Sequence, residues 1–254
     1  MSIVNLQQQM QELSLIGMIN ALETDLMVAT KQDWSHEELL SRLLQSEKVY
    51  RDDKFIAKKV KAASFKRNAY LEDFDMAVKR GVSKSQLQDL MSLSWLEVAR
   101  PIIFIGQTGM GKSYLAEALG RYVCAKRKTV LFKESTELFL LIAESRRLNR
   151  YLTTRKRLAS YDILIIDDFG MRKLNSTEAQ DLKELLELRS ISRSTFFTTQ
   201  LPISHWGEII EDVVILEAIV DLVDHSSIKI EMKGEKTYRE IKAKKLDSKA
   251  SNKE

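Results

Sequence analysis

The run Gly106-Gln107-Thr108-Gly109-Met110-Gly111-Lys112-Ser113 has the residue types and spacing of a loop that holds a polyphosphate. Its glycines let backbone amides turn inward around phosphate oxygens without side-chain clashes. The apolar run Ile102 to Ile105 leads into it and a helix opens at Tyr114, Leu115 and Ala116, so the positive end of a helix dipole meets the same anion. Lys112 is placed to reach the β and γ phosphates, and the Ser113 hydroxyl to ligate Mg²⁺. Gly106 through Tyr114 is therefore the candidate nucleotide-binding set, with ATP and Mg²⁺ as cofactors.

A second element is Ile163-Leu164-Ile165-Ile166-Asp167-Asp168, an apolar strand that ends in two carboxylates and is the expected partner of a phosphate loop. Asp167 suits Mg²⁺ through its water shell, and Asp168 suits the water that attacks, which it would orient and deprotonate. Phosphoryl transfer needs positioning and charge neutralisation above all. Thr199 and Gln200 follow the next apolar run, Thr195 to Thr198, where a polar side chain can bond the γ-phosphate or the lytic water. The candidate catalytic residues are Lys112, Asp168, Thr199 and Gln200, and the candidate metal ligands are Ser113 and Asp167. The order of these motifs places one strand between the loop strand and the carboxylate strand, unlike the simplest nucleotide kinases.

The elements that must position these groups are legible as texture. From Pro101 onward, apolar runs alternate with long helical stretches, as in βα units of a parallel sheet: Ile102 to Ile105, Thr129 to Phe132, Ile163 to Ile166, Thr195 to Thr198 and Ile228 to Met232. Five strands with covering helices make an α/β doubly wound sheet, with ligands at the strands' carboxyl ends. Asn175 to Glu178 has the pattern of a capping box. The first eighty residues are poor in glycine and contain no proline, and read as nearly continuous helix. Met10, Leu13, Ile16, Ile19 and Leu22 keep helical spacing, as do Leu39, Leu40, Leu43 and Leu44 after Ser35. A further short helix is expected around Leu87, Leu90 and Met91, capped by Ser85. The expected division is a helical N-terminal domain over residues 1–75, an ATPase domain over 76–240 and a basic, disordered tail over 241–254.

A chain of 254 residues, 44% hydrophobic, can bury one such core and carry a small accessory domain. The single cysteine, Cys124, excludes an intrachain disulfide and suits a reducing, cytoplasmic setting. His36, His205 and His225 lack the spacing of a zinc motif. No uncharged apolar run reaches bilayer length and no signal peptide is expected, so no membrane partner is expected either. The net charge of +4 says less than its distribution. Arg146, Arg147, Arg150, Arg155, Lys156 and Arg157 cluster between the second strand and the Asp167 strand, and would bind DNA phosphates in a salt-sensitive, sequence-tolerant way. Lys54, Lys58, Lys59, Lys61, Lys66 and Arg67 form a second basic group, which competes with a solvated helix face.

With these elements in place the chain resembles the IstB-like insertion-sequence ATP-binding proteins, relatives of DnaC-type helicase loaders in the AAA+ superfamily. The resemblance is carried by Leu13-Ser14-Leu15-Ile16-Gly17-Met18, Tyr70-Leu71-Glu72-Asp73-Phe74-Asp75, Leu93-Ser94-Trp95-Leu96, Asp167-Asp168-Phe169-Gly170, Thr199-Gln200-Leu201-Pro202 and Ile230-Glu231-Met232-Lys233-Gly234-Glu235. It implies a P-loop AAA+ sheet sandwiched by helices with a small all-α N-terminal domain. It also implies an ATPase that forms a homo-oligomer on double-stranded DNA and assists a partner transposase. By the same resemblance Asp168 replaces the more usual catalytic glutamate, and Gln200 takes the sensor position. One departure bears on turnover: where the family carries an arginine that reaches into the neighbouring subunit, this chain reads Ala218-Ile219-Val220-Asp221-Leu222-Val223. Leu222 cannot stabilise transition-state charge, which leaves Arg189, Arg193 and Arg239 as candidates to act in trans, or slow hydrolysis. A replicative helicase loader with the same ATP site is the alternative function, and a small-molecule kinase is a third, for which no arginine-rich lid is visible.

Overall fold

The computed structural model describes residues 3–78 and 80–234. Arg239 and the 241–254 tail lie outside them. The chain divides into two compact units, with the division after Lys58.

The first unit contains α1 (Ile3–Glu12), α2 (Ile16–Gln32) and most of α3 (His36–Ala62). Met10, Met18, Leu22 and Leu43 are its buried centre, with Leu6, Leu15, Ile19 and Leu39 packed around them. Leu13, Leu40 and Leu44, which share the helical spacing, point outward instead. The helices cross so closely that a Cβ on Gly17 would stand 2.6 Å from the Glu47 Cα, so only glycine fits there. At this crossing the Glu47 carboxylate accepts the Met18 amide at 3.2 Å and pairs with Arg51 at 2.6 Å. Burial raises the Glu47 pKa, but those partners outweigh it and hold the group below the usual carboxylate range.

The low glycine and proline content predicts nearly continuous helix to residue 80, and the structure corrects this. Helix α3 stops at Ala62, and the described residues of 63–83 are turns, bends and irregular chain. Its Ala63, Ala69, Leu71 and Phe74 are buried in the main core, and the Ala63 carbonyl accepts the Phe132 amide at 2.8 Å. Packing of an aperiodic segment thus overrides helix propensity, and residues 59–75 belong to the second unit by contact. Next come α4 (Lys84–Ser92) and α5 (Ser94–Glu97). The α4 cap is Ser83 rather than Ser85: its hydroxyl accepts from the Gln86 amide while the Gln86 side chain accepts from the Ser83 amide.

The sheet strands are β1 (Ile102–Gly106), β2 (Val130–Glu134), β3 (Ile163–Phe169), β4 (Ser194–Thr199) and β5 (Ile228–Met232). They are all parallel, in the order β2-β3-β4-β1-β5, so β4 stands between the loop strand and the carboxylate strand as predicted. Connecting them are α6 (Lys112–Ala125), α7 (Ser135–Arg147), α8 (Tyr151–Ser160), α9 (Ser176–Ser190) and, after a 3-10 turn at Ile203–Glu208, α10 (Val213–Asp224). Alternate side chains divide between two cores, as period-two pleating requires. Ile102, Phe104, Ile163, Ile165 and Phe196 pack with α6 on one face, and Ile103, Leu164, Ile166 and Phe197 pack with α7, α9 and the 3-10 turn on the other. Helix α9 starts with the predicted capping box of Asn175 and Glu178.

At the opposite end of the sheet, Asp162 ties three strand entries together. Its carboxylate accepts from the Thr129 amide at 2.8 Å, the Thr129 hydroxyl at 2.7 Å and Arg193 at 2.8 Å. Burial acts to raise its pKa, but these donors outweigh it and leave the net shift downward. A lowered folded-state pKa contributes stability above the ordinary carboxylate range, and this is lost as pH falls through the folded value. Asp162→Asn is therefore expected to cost about 1–3 kcal/mol at neutral pH, with the gap to native protein closing in acid, as urea denaturation at the two pH values would show.

Candidate active site

The cradle forms where β1 ends. Gly106 lies against β5 so closely that a Cβ there would stand 2.2 Å from the Met232 carbonyl oxygen. Beyond it the chain turns into α6, and a cleft of about 760 Å³ opens over the loop. Thr108, Gly109, Gly111, Lys112, Ser113 and Tyr114 line it, within the size range of nucleotide-sized ligand sites. Gln107 contributes its carbonyl, which accepts from the Lys112 ammonium at 3.0 Å. Met110 is turned into the core and supplies only backbone to the loop. A second cleft of about 780 Å³ lies beside α10 and β5, away from the phosphate loop and the acidic strand ends.

The opposite wall comes from the strand ends. Asp167, Asp168 and Glu134 of β2 each offer an oxygen, all within 4.8 Å of one another. Asp167 is buried and Asp168 is exposed. They diverge because β3 and β4 lose register between Ile166 and Phe169, where Asp168 adopts a φ of 52°. One hydroxyl secures this kink: Thr198 Oγ1 accepts from the Asp168 amide at 2.9 Å and donates to Asp167 Oδ1 at 2.5 Å. Partial desolvation where the cleft walls crowd it, and then the neighbouring Asp167 charge, push the Asp168 carboxyl above its ordinary range. Burial likewise lowers the Lys112 pKa, against the pull of Asp168 and Asp167. Three converging carboxylates beside the Ser113 hydroxyl are the hard oxygen donors that suit Mg²⁺.

Gln200 faces this cleft, with its amide 3.3 Å from the Met171 sulfur. Thr199 does not. It is fully buried, and its hydroxyl is spent on Leu201, accepting the amide at 3.0 Å and donating to the carbonyl at 3.2 Å. The β4 hydroxyl that touches the acidic groups is Thr198, one residue earlier. Glu134, Arg67 and Asn68 are further cleft residues that motif reading misses. Glu134 had a signal, since the apolar run of β2 ends next to it; Arg67 and Asn68 lie in an irregular segment with none. Lys66 is ion-paired with Glu134, and Arg67, which lines the cleft, with Glu117.

The candidates to act in trans fare differently. Arg189 is fully buried, donating to the Leu158 and Tyr161 carbonyls and the Thr195 hydroxyl at 2.9 Å each and also to the Ser194 carbonyl. Burial lowers its pKa to about 9. It is a structural cross-tie and cannot reach a neighbour. Its position had a signal: Leu182, Leu185, Leu186 and Arg189 share one helical face. Arg193 is paired with Asp162. In the DNA candidate cluster, Arg146 forks onto Asp181 and stacks at 3.7 Å on the Tyr151 ring, while Arg155 pairs with Glu184, so both are committed to α9. Arg147, Arg150, Lys156 and Arg157 are exposed.

A phosphate loop at the end of β1, acidic residues at the end of β3 and β4 between them define a P-loop nucleotide-binding protein of the AAA+ type. The chain belongs to the family described as IstB-like ATP binding protein, whose profile matches residues 8–246. A relative in Sinorhizobium fredii, the insertion-sequence ATP-binding protein y4pL, is 33% identical over 93% of this chain and 96% of its own. Among solved structures, DnaI is similar with a TM-score of 0.55 at 19% identity, covering 65% of this chain and 92% of that one. The DnaC helicase loader has a TM-score of 0.50 at 15% identity, covering 60% and 92%. Among the described residues, no helix is long and apolar enough to cross a membrane.

Thr198→Val keeps the branched shape of the side chain and removes the one hydroxyl that serves both aspartates. It is expected to cost about 1–3 kcal/mol in urea denaturation, the range for stranding buried polar groups, whereas Thr198→Ser stays near native.

Proposed function

We propose that this protein is an ATP-dependent AAA+ regulator that assembles on duplex DNA and assists a transposase in moving an insertion sequence. The observation that carries the reading is the cleft, in which the loop cradle of α6 faces Asp167, Asp168 and Glu134. The kinship with insertion-sequence ATP-binding proteins supplies the setting. A replicative helicase loader is the weaker reading, because the likeness to DnaI and DnaC, at 19% and 15% identity, extends to fold alone.

In the proposed reaction the loop amides and Lys112 bind the triphosphate. Ser113 and Asp167 would hold Mg²⁺, which would supply neutralisation of phosphate charge. Asp168 orients a water against the γ-phosphorus and accepts its proton. Gln200 senses the γ-phosphate from the tip of β4. The exposed Arg147, Arg150, Lys156 and Arg157 neutralise DNA phosphates without reading bases. The helical N-terminal region is assigned the transposase contact.

Sedimentation with duplex DNA over a salt series tests this, without nucleotide and with ADP, ATP or a non-hydrolysable ATP analogue. Large assemblies are expected only with ATP or its analogue, shrinking as salt rises. Lys112→Ala should abolish them and weaken ATP binding by about tenfold to a hundredfold, the worth of a charge-assisted hydrogen bond. A protein that stays monomeric and ignores DNA in every nucleotide state would sink the reading.

A further inference from the structure

We propose that Arg67 contacts the terminal phosphate of ATP bound to its own chain, and that buried Glu117 is the positioning residue that holds it there. The inference rests on the nucleotide-binding reading above and adds to it a cation that no phosphate-loop motif contains.

Arg67 is the one cation besides Lys112 among the described residues lining the cleft. It enters from the irregular segment after α3, next to Lys66, whose ammonium pairs with Glu134 in the acidic cluster. Arg67 itself lines the cleft together with Glu134, Asp167 and Asp168, the carboxylates that face the phosphate loop, so it is placed for the far end of a bound triphosphate.

The anchoring is specific. The Arg67 backbone amide donates to Glu117 Oε2 at 3.0 Å, and its Nε stands 2.8 Å from Oε1 of the same carboxylate. Glu117 lies on α6, little more than a turn past Lys112, so Arg67 is referenced to the helix that carries the cradle. The Glu117 side chain is fully buried and that of Arg67 is 45% exposed. Burying a carboxylate is costly, so a glutamate enclosed to hold a half-exposed arginine implies a task for the exposed part. A guanidinium has five donors, and Glu117 engages only its Nε edge. Among the described residues the two terminal nitrogens have no protein partner, which leaves a planar fork of the kind that binds phosphate oxygens. Its charge is also felt at Asp168, where it opposes the upward pull on the carboxyl pKa. Glu117 itself is pushed upward by burial.

A contact to the terminal phosphate alone makes a distinctive prediction, because ADP lacks it. With Mg²⁺ present, Arg67→Ala should weaken a non-hydrolysable ATP analogue by about tenfold while ADP affinity stays within about twofold, as expected for one charge-assisted contact. The ATP turnover number should fall by about a hundredfold, as for loss of one transition-state donor. Because Arg67→Ala strands a buried charge, the double variant Arg67→Ala/Glu117→Gln is measured beside it, with native ADP affinity as the check on folding. Arg67→Lys should recover part of the preference for the ATP analogue over ADP. If both alanine variants bind analogue and ADP in the native ratio, Arg67 does not touch the phosphate and the inference is overturned, while the ATP-binding reading stands. If the native protein binds neither nucleotide, both fall together.

Discussion

Three carboxylates within 4.8 Å of one another, facing one largely buried ammonium, are the interaction that the rest of this structure serves. Gathering them is unfavourable. Desolvation pushes the Asp168 pKa up and the Lys112 pKa down, and the neighbouring Asp167 adds its repulsion to the first. In the proposed reading a divalent cation between the carboxylates and a phosphate beside the lysine would offset that cost. Such preorganisation has to be held by groups away from the cleft. Thr198 does this for the two aspartates with one oxygen, and β4 must run between β1 and β3 to bring that oxygen there.

The cradle is held as tightly from behind. Gly106 packs on the backbone of β5, and Arg80, whose guanidinium stacks 3.9 Å over Phe74, has a terminal nitrogen 2.9 Å from where a Gly111 Cβ would be. Both Arg80 and Phe74 come from the turns after α3. On the outer side, the same stretch gives Tyr70, whose backbone bonds the Tyr114 hydroxyl, and Asn68, which accepts from Arg121 of α6. Arg67, Asn68 and Asp73 of this stretch line the cleft itself.

This distribution explains what could be read from the sequence. β1 and β3 were legible because strands of a parallel sheet buried on both faces require continuous apolar runs, whereas the edge strand β5 was legible from the alternation Ile228, Ile230, Met232. The phosphate loop and Asp167-Asp168 were legible because their chemistry demands particular side chains at particular offsets. Illegible were the groups whose role depends on where an aperiodic segment passes, Arg67 and Asn68 above all. Thr198 and Thr199 could not be told apart, since which of two adjacent hydroxyls faces the acids is decided by the β3–β4 irregularity. Charge clustering was the least faithful guide: Arg146 and Arg155 stand in a basic run, yet Asp181 and Glu184 on α9, some thirty residues later, claim them.

The same logic bears on Leu222. It packs with Ile219 and Val223 against the core beside α9, where an apolar side chain is at home and a charge would need a partner. An ATPase that takes its arginine from a neighbour makes turnover conditional on assembly. Of the two described candidates for that role, Arg189 is locked inside and Arg193 is paired to Asp162. In the proposed reading the charge on the terminal phosphate is met from within, by Lys112 and Arg67. ATP binding would then precede assembly rather than require it, and the assembled state would persist for as long as slow, unassisted hydrolysis allows. A protein whose product is an occupied stretch of DNA is served by that order of events, since its working state is the one that has not yet turned over.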